Sequence, residues 1–172
     1  MVQVLVRALR VGGASTAAIV LQEAGGSRIL QIHIGAPEAA LIGYAIQELK
    51  TPRPMTHDVM ISLAELQGGE IVEVEITGLV GNTFMAELRL KLNDKVEVLS
   101  IRPSDAIAVA IRAQVPLGVS ADLLDFAGTD LEDEFDGTEA QTQLQVEDID
   151  EGALISELRD FLESVNPEDF KP

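Results

Sequence analysis

Short apolar runs of period two, cut by glycine and asparagine turns, constrain this chain more than any other feature. Val2, Val4, Val6 and Ala8 alternate with Gln3, Leu5 and Arg7, which predicts a strand with one buried face. Gly12-Gly13 marks a turn, and residues 16–21 form a second run, β-branched and apolar. Ala24-Gly25-Gly26-Ser27 turns the chain again before a third run over residues 28–34. The pattern returns at residues 70–79, 83–92 and 96–101, separated by Gly81-Asn82 and Asn93-Asp94. Each triplet is followed by a proline-led helix start. The expected fold class is α+β: antiparallel β-meanders with three principal helices. The echo between the two halves reads equally as an internal duplication or as coincidence.

The helices have their own signals. Pro37 and Glu38 suit the first turn of a helix, where a missing N–H costs nothing and a carboxylate meets the positive end of the dipole. Leu41, Ile42, Ala45, Ile46 and Leu49 continue it at helical spacing. Thr56 is an N-cap candidate for a second helix, with Val59, Met60, Leu63 and Leu66 as its apolar face. The third helix, residues 106–113, is apolar nearly all round and should be buried. Ser120 or Asp122 could cap a final turn ending at Phe126.

Composition bounds the rest. The chain is 47% hydrophobic but only 3% aromatic, so the core must be aliphatic. It has no cysteine, which excludes disulfides and thiolate metal sites and fits a reducing compartment such as the cytoplasm. No run reaches the roughly 18–20 apolar residues of a membrane span, and the alternating start is unlike a signal peptide. Residues 1–121 carry 12 acids and 10 bases, whereas residues 122–172 carry 17 and 2. The expected organisation is a domain over residues 1–126, an acidic disordered linker over 127–146, and an amphipathic helix and tail over 147–172. Leu154, Ile155, Leu158, Phe161 and Leu162 carry that last helical spacing.

Two Arg-Pro segments attract chemistry. Arg53, Thr56, His57 and Asp58 surround one helix start, and Arg102, Ser104 and Asp105 another. Each is also explained by capping, dipole complementation and an Arg–Asp ion pair. A serine nucleophile needs an adjacent base and a strained elbow, and neither is legible near Ser104. Glu38, Asp58 and Asp105 place one acid at each of three helix starts. If those starts converge, the carboxylates suit a hard divalent cation such as Mg2+ or Mn2+. His33, alternating with Gln31, reads as an exposed strand residue.

The segments together are more specific than any one. Leu30-Gln31-Ile32-His33-Ile34-Gly35-Ala36-Pro37-Glu38-Ala39, Pro52-Arg53-Pro54-Met55-Thr56-His57-Asp58, Gly81-Asn82-Thr83-Phe84-Met85-Ala86 and Arg102-Pro103-Ser104-Asp105-Ala106-Ile107-Ala108 occur in this order. They resemble the signature of the bifunctional nuclease (BFN) domain family, bacterial members included, over about residues 2–126. The resemblance implies an α+β domain that forms a homodimer, a nucleic-acid partner, and hydrolysis of DNA and RNA as described for plant members. His33 and Met85 replace family aromatics, which removes base-stacking platforms. On the nuclease expectation, His57, Asp58 and Asp105 are the catalytic candidates. Arg53, Arg102, Thr56 and Ser104 would hold substrate, and Glu38, Asp58 and Asp105 would hold the metal. The alternative is a non-enzymatic, ligand- or partner-binding regulatory module that uses the same polar patch.

Overall fold

The computed structural model describes residues 1–11 and 16–131. The linker and tail expected beyond Leu131, and the Gly12-Gly13 turn, lie outside the described residues. The order is β1 (Val2–Val11), β2 (Thr16–Glu23), β3 (Arg28–Gly35), α1 (Ala36–Ile46), α2 (Thr56–Leu66), β4 (Gly69–Val80), β5 (Thr83–Leu92), β6 (Lys95–Ile101), α3 (Pro103–Ala113), β7 (Leu117–Val119), α4 (Ala121–Ala127) and β8 (Thr129–Asp130). The fold is α+β. Both expected meanders form, as β1–β2–β3 and β4–β5–β6. Asn93 and Asp94 both take positive φ, +50° and +61°, which matches the twist of the β5–β6 hairpin.

The meanders join into one mixed sheet of order β6-β5-β4-β7-β1-β2-β3-β8. The joint is the three-residue β7, parallel to β4 at residues 74–76 and antiparallel to Val2 and Gln3 of β1. A Cβ at Gly118 would fall 2.0 Å from the Met1 side chain, which is exposed and would have to move aside. The short β8 falls in the span expected to be linker and pairs with Arg28 and Ile29 of β3.

The core forms where α3 lies on the sheet. Ala106, Ile107, Ala108, Val109 and Ala110 are all buried, as their all-round apolarity predicts, and they pack with Ile19, Leu30, Val74 and Ile76 from both meanders. The small alanines let α1 pack directly against α3. Ser120 caps α4 by accepting from the Leu123 N–H at 3.1 Å.

Helix α2 departs from expectation. Its N-cap is Met55, not Thr56, because Asp58 at the third helical position reaches back and accepts from the Met55 N–H at 2.7 Å. Its apolar stripe is not core. Val59, Met60, Leu63 and Leu66 are 38–78% exposed, and the one buried residue of the helix is His57. Ile61 packs against the core, and polar anchoring at the first turn, described below, fixes the start of the helix. Among the described residues, no helix is long and apolar enough to cross a membrane.

Candidate functional site

Helices α1 and α3 begin alike. Each follows the last strand of a meander, has proline in its first two positions, and carries an acid at the third, Glu38 or Asp105. Because the two helices pack together, the two acids meet. Arg102, the residue preceding α3, lies between them. Its Nε donates to Asp105 Oδ2 at 2.7 Å and its Nη2 to Asp105 Oδ1 at 3.1 Å, while Nη1 donates to Glu38 Oε1 at 3.2 Å. Glu38 also folds back over Gly35, where any Cβ would press on its carboxylate.

His57, from the first turn of α2, closes the cluster from behind. Its Nε2 lies 3.1 Å from Asp105 Oδ1. An ionised carboxylate only accepts, so the proton is assigned to Nε2. The imidazole is buried, with its side chain 4% exposed, so it bears on Asp105 and not on solvent. Burial pushes the Asp105 carboxyl up, but the hydrogen bonds from Arg102 and His57, with the charge of the guanidinium, outweigh it and hold the group below its ordinary value. The same pairing with Asp105 holds Arg102 protonated above the ordinary arginine range.

In front of Arg102 lies an open cleft of about 550 Å3. His33 at the end of β3, Glu38 of α1, Thr83 and Phe84 beyond the β4–β5 turn, and Arg102 and Ser104 at the start of α3 line it. These strands lie at opposite ends of the sheet order, so the sheet curls to bring them together. Ser104 is buried at 8% exposure, faces the cleft, and makes no hydrogen bond through its hydroxyl among the described residues.

The other candidates lie elsewhere. Arg53 and Thr56 are exposed and do not line the cleft. Asp58 pairs not with Arg53 but with Arg112 of α3, whose Nη1 donates to Asp58 Oδ1 at 2.9 Å. Among the described residues no group of three or more His, Asp or Glu is arranged to hold a metal ion. Glu38 and Asp105 share one guanidinium and Asp58 faces another, so as arranged the acids fit arginine and not a dication. Sequence reasoning missed Arg112 altogether and set His33 aside. The local signal for Arg112 was a cation in the last turn of α3, where it suits the negative end of the helix dipole.

The sequence profile of the bifunctional nuclease domain matches residues 19–132. The chain belongs to the bifunctional nuclease domain family. This bifunctional nuclease domain protein is 40% identical over 153 residues to an uncharacterized protein of Mycobacterium tuberculosis, covering 89% of this chain and 87% of that one. It is 35% identical over 107 residues to bifunctional nuclease 2 of Arabidopsis thaliana and 32% identical over 107 residues to bifunctional nuclease 1 of Oryza sativa subsp. indica. Those two matches cover 60% of this chain and 32% of each plant protein.

The charge pairing has a solution consequence. Asp105 and Glu23 are both held below their ordinary carboxyl values, Glu23 by its hydrogen bond from Arg28. A depressed carboxyl contributes stability above its unfolded value that is lost as pH falls through the folded one. Thermal melts should therefore lose midpoint below about pH 4, and Asp105→Asn should flatten part of that fall.

Proposed function

We propose that the cleft binds the phosphodiester backbone of nucleic acid and hydrolyses it. The observation that carries this is that Arg102 and the Ser104 hydroxyl, which has no hydrogen-bond partner among the described residues, line the same cleft at the start of α3. A guanidinium has five N–H donors, and three of those on Arg102 are taken by Asp105 and Glu38. The remaining two, on a side chain 66% exposed, can take phosphate oxygens with the Ser104 hydroxyl and the first-turn N–H groups of α3. Glu38 and Asp105 outnumber Arg102 by one formal charge. Binding therefore rests on directed hydrogen bonds and should show a shallow salt dependence, with a slope near that of about one neutralised phosphate. The names of the plant relatives support nucleic acid as the ligand.

In hydrolysis Arg102 would bind and orient the phosphate, His33 at the cleft wall would move protons, and Asp105 would fix Arg102 with His57 behind it. Mg2+ or Mn2+ enters only if Arg102 leaves Glu38 and Asp105, so no step is assigned to a metal. The pairing of Glu38 and Asp105 with Arg102 favours a second version, in which the cleft holds a phosphate-bearing ligand or partner without cleaving it. The protein would act in the cytoplasm as a homodimer. An open edge strand supports the dimer: Val96, Val98 and Leu99 of β6 are about half exposed.

The test titrates purified protein with short single-stranded DNA and RNA, then follows cleavage in Mg2+, in Mn2+ and in EDTA. Arg102→Met should weaken binding by about tenfold or more. Cleavage equal in parent and Arg102→Met would mark a contaminating nuclease and sink the enzymatic version. Binding without cleavage in any ion selects the second version, and no binding at all sinks both.

A further inference from the structure

The buried polar groups behind the cleft form one chain. Arg112, near the C-terminal end of α3, has a side chain only 10% exposed. Its Nη1 donates to Asp58, and its Nη2 donates to the Leu41 carbonyl at 3.1 Å and faces Met55 Sδ at 3.5 Å. One guanidinium thus ties α1, α3 and the entry to α2. Asp58 uses its other oxygen to accept from the Met55 N–H, which fixes the first turn of α2. The next residue back, His57, is held in that turn and donates to Asp105, and Asp105 grips Arg102.

This chain is expensive. Among the described residues, two buried side-chain nitrogen or oxygen atoms lack a partner, His57 Nδ1 and Arg112 Nε, and both belong to it. Buried polar atoms are paired in the great majority of cases, so each exception calls for an explanation. The ion pair is half-buried, with Asp58 34% exposed, and such a pair is weak support for stability. What the chain supplies is geometry. Asp58 and Arg112 fix the first turn of α2, whose stripe of Val59, Met60, Leu63 and Leu66 is left exposed and which meets the core through Ile61.

We propose that Arg112 is a positioning residue for the cleft: through Asp58 and the first turn of α2 it places His57 against Asp105, and so sets the direction in which Arg102 faces a ligand. This builds on the phosphate-binding role of Arg102 proposed above. Arg112 lines no part of the cleft.

The test has two independent readouts on the full chain. The first is NMR of the isotope-labelled protein, following the His57 ring nitrogens and the Arg102 Nε–H resonance, and needs no ligand. The second is affinity for the same short single-stranded DNA. Arg112→Lys keeps the charge and loses the fork. Arg89→Lys is the control, since Arg89 is another ion-paired arginine, bound to Glu73 and Glu75 and absent from the cleft lining. Arg112→Lys should shift the His57 and Arg102 signals and weaken DNA binding by about tenfold, the scale on which slight misplacement of a binding group is felt. Arg89→Lys should move neither, even if it lowers the melting midpoint as much. Should Arg112→Lys not fold, Asp58→Asn, which keeps the size of the side chain but removes the charge and one of its two acceptors, takes its place. Unmoved His57 and Arg102 signals in the folded variant overturn the proposal. Shifted signals in a protein that never bound DNA would support the positioning chain while removing its assigned ligand.

Discussion

Replacing Asp105 with alanine should unlatch the cleft and cost the fold about 2 kcal/mol. The side chain accepts three hydrogen bonds, two from Arg102 and one from His57. Its loss leaves the His57 Nε2–H buried without an acceptor, which is the more costly half of the change. It also leaves Arg102 with Glu38 alone, free to swing. The melting midpoint should fall by about 5–10 °C, and single-stranded DNA binding should fall with it. Asp105→Asn retains one carbonyl oxygen for His57, but it loses the charge and turns the acceptor facing the Arg102 Nε–H into an NH2 donor. It should melt closer to the parent yet release Arg102 nearly as fully. A midpoint for Asp105→Ala within about 1 °C of the parent would mean that His57 does not depend on Asp105, and the chain behind the cleft would lose its link.

Truncation of Ile107 to alanine should be larger still in stability. Ile107 is fully buried at the heart of α3 and belongs to the cluster that draws on both meanders. Deleting three buried carbons leaves a cavity between elements that cannot all collapse at once, at a cost of about 2–5 kcal/mol. Against a total of about 5–15 kcal/mol for such a domain, a drop in midpoint of about 10 °C or more is expected. Denaturant unfolding, with the slope unchanged and the midpoint lowered, checks it. Because α3 also carries Arg102 and Asp105 at its start, the same variant should loosen the cleft before it unfolds globally.

Much of this was legible because it is local. A period of two marks a strand, paired left-handed residues such as Asn93 and Asp94 mark a hairpin, and proline with an acid two positions on or next to it marks the starts of α1 and α3. The pairing of Arg102 with Asp105 was legible for the same reason, since the two are three residues apart. The partner of Asp58 was not. Arg53 is close in sequence, but Arg112, 54 positions away, wins because α3 packs beside α2. The stripe on α2 misled because helical periodicity records amphipathicity and not which face is covered. His33 was set aside as an exposed strand residue, which it is. Its place in the wall of the cleft arises only when the sheet curls and the end of β3 comes to line the same cleft as Arg102. Beyond local pairing, the parallel bond between β4 and β7 has no signal in three residues of Leu-Gly-Val.

That short strand has a consequence for the order in which the molecule can be made. Val2 and Gln3 find their second neighbour only in Gly118 and Val119, and β4 meets β7 there too. During synthesis the N-terminal meander can pair within itself early, but its outer edge must wait for nearly the whole domain to emerge. At about 5–20 residues per second, that leaves several seconds in which a twisted, half-built sheet offers an open edge. Chaperone occupancy or mispairing with a neighbouring nascent chain would be concentrated in that interval and would end when residue 119 docks.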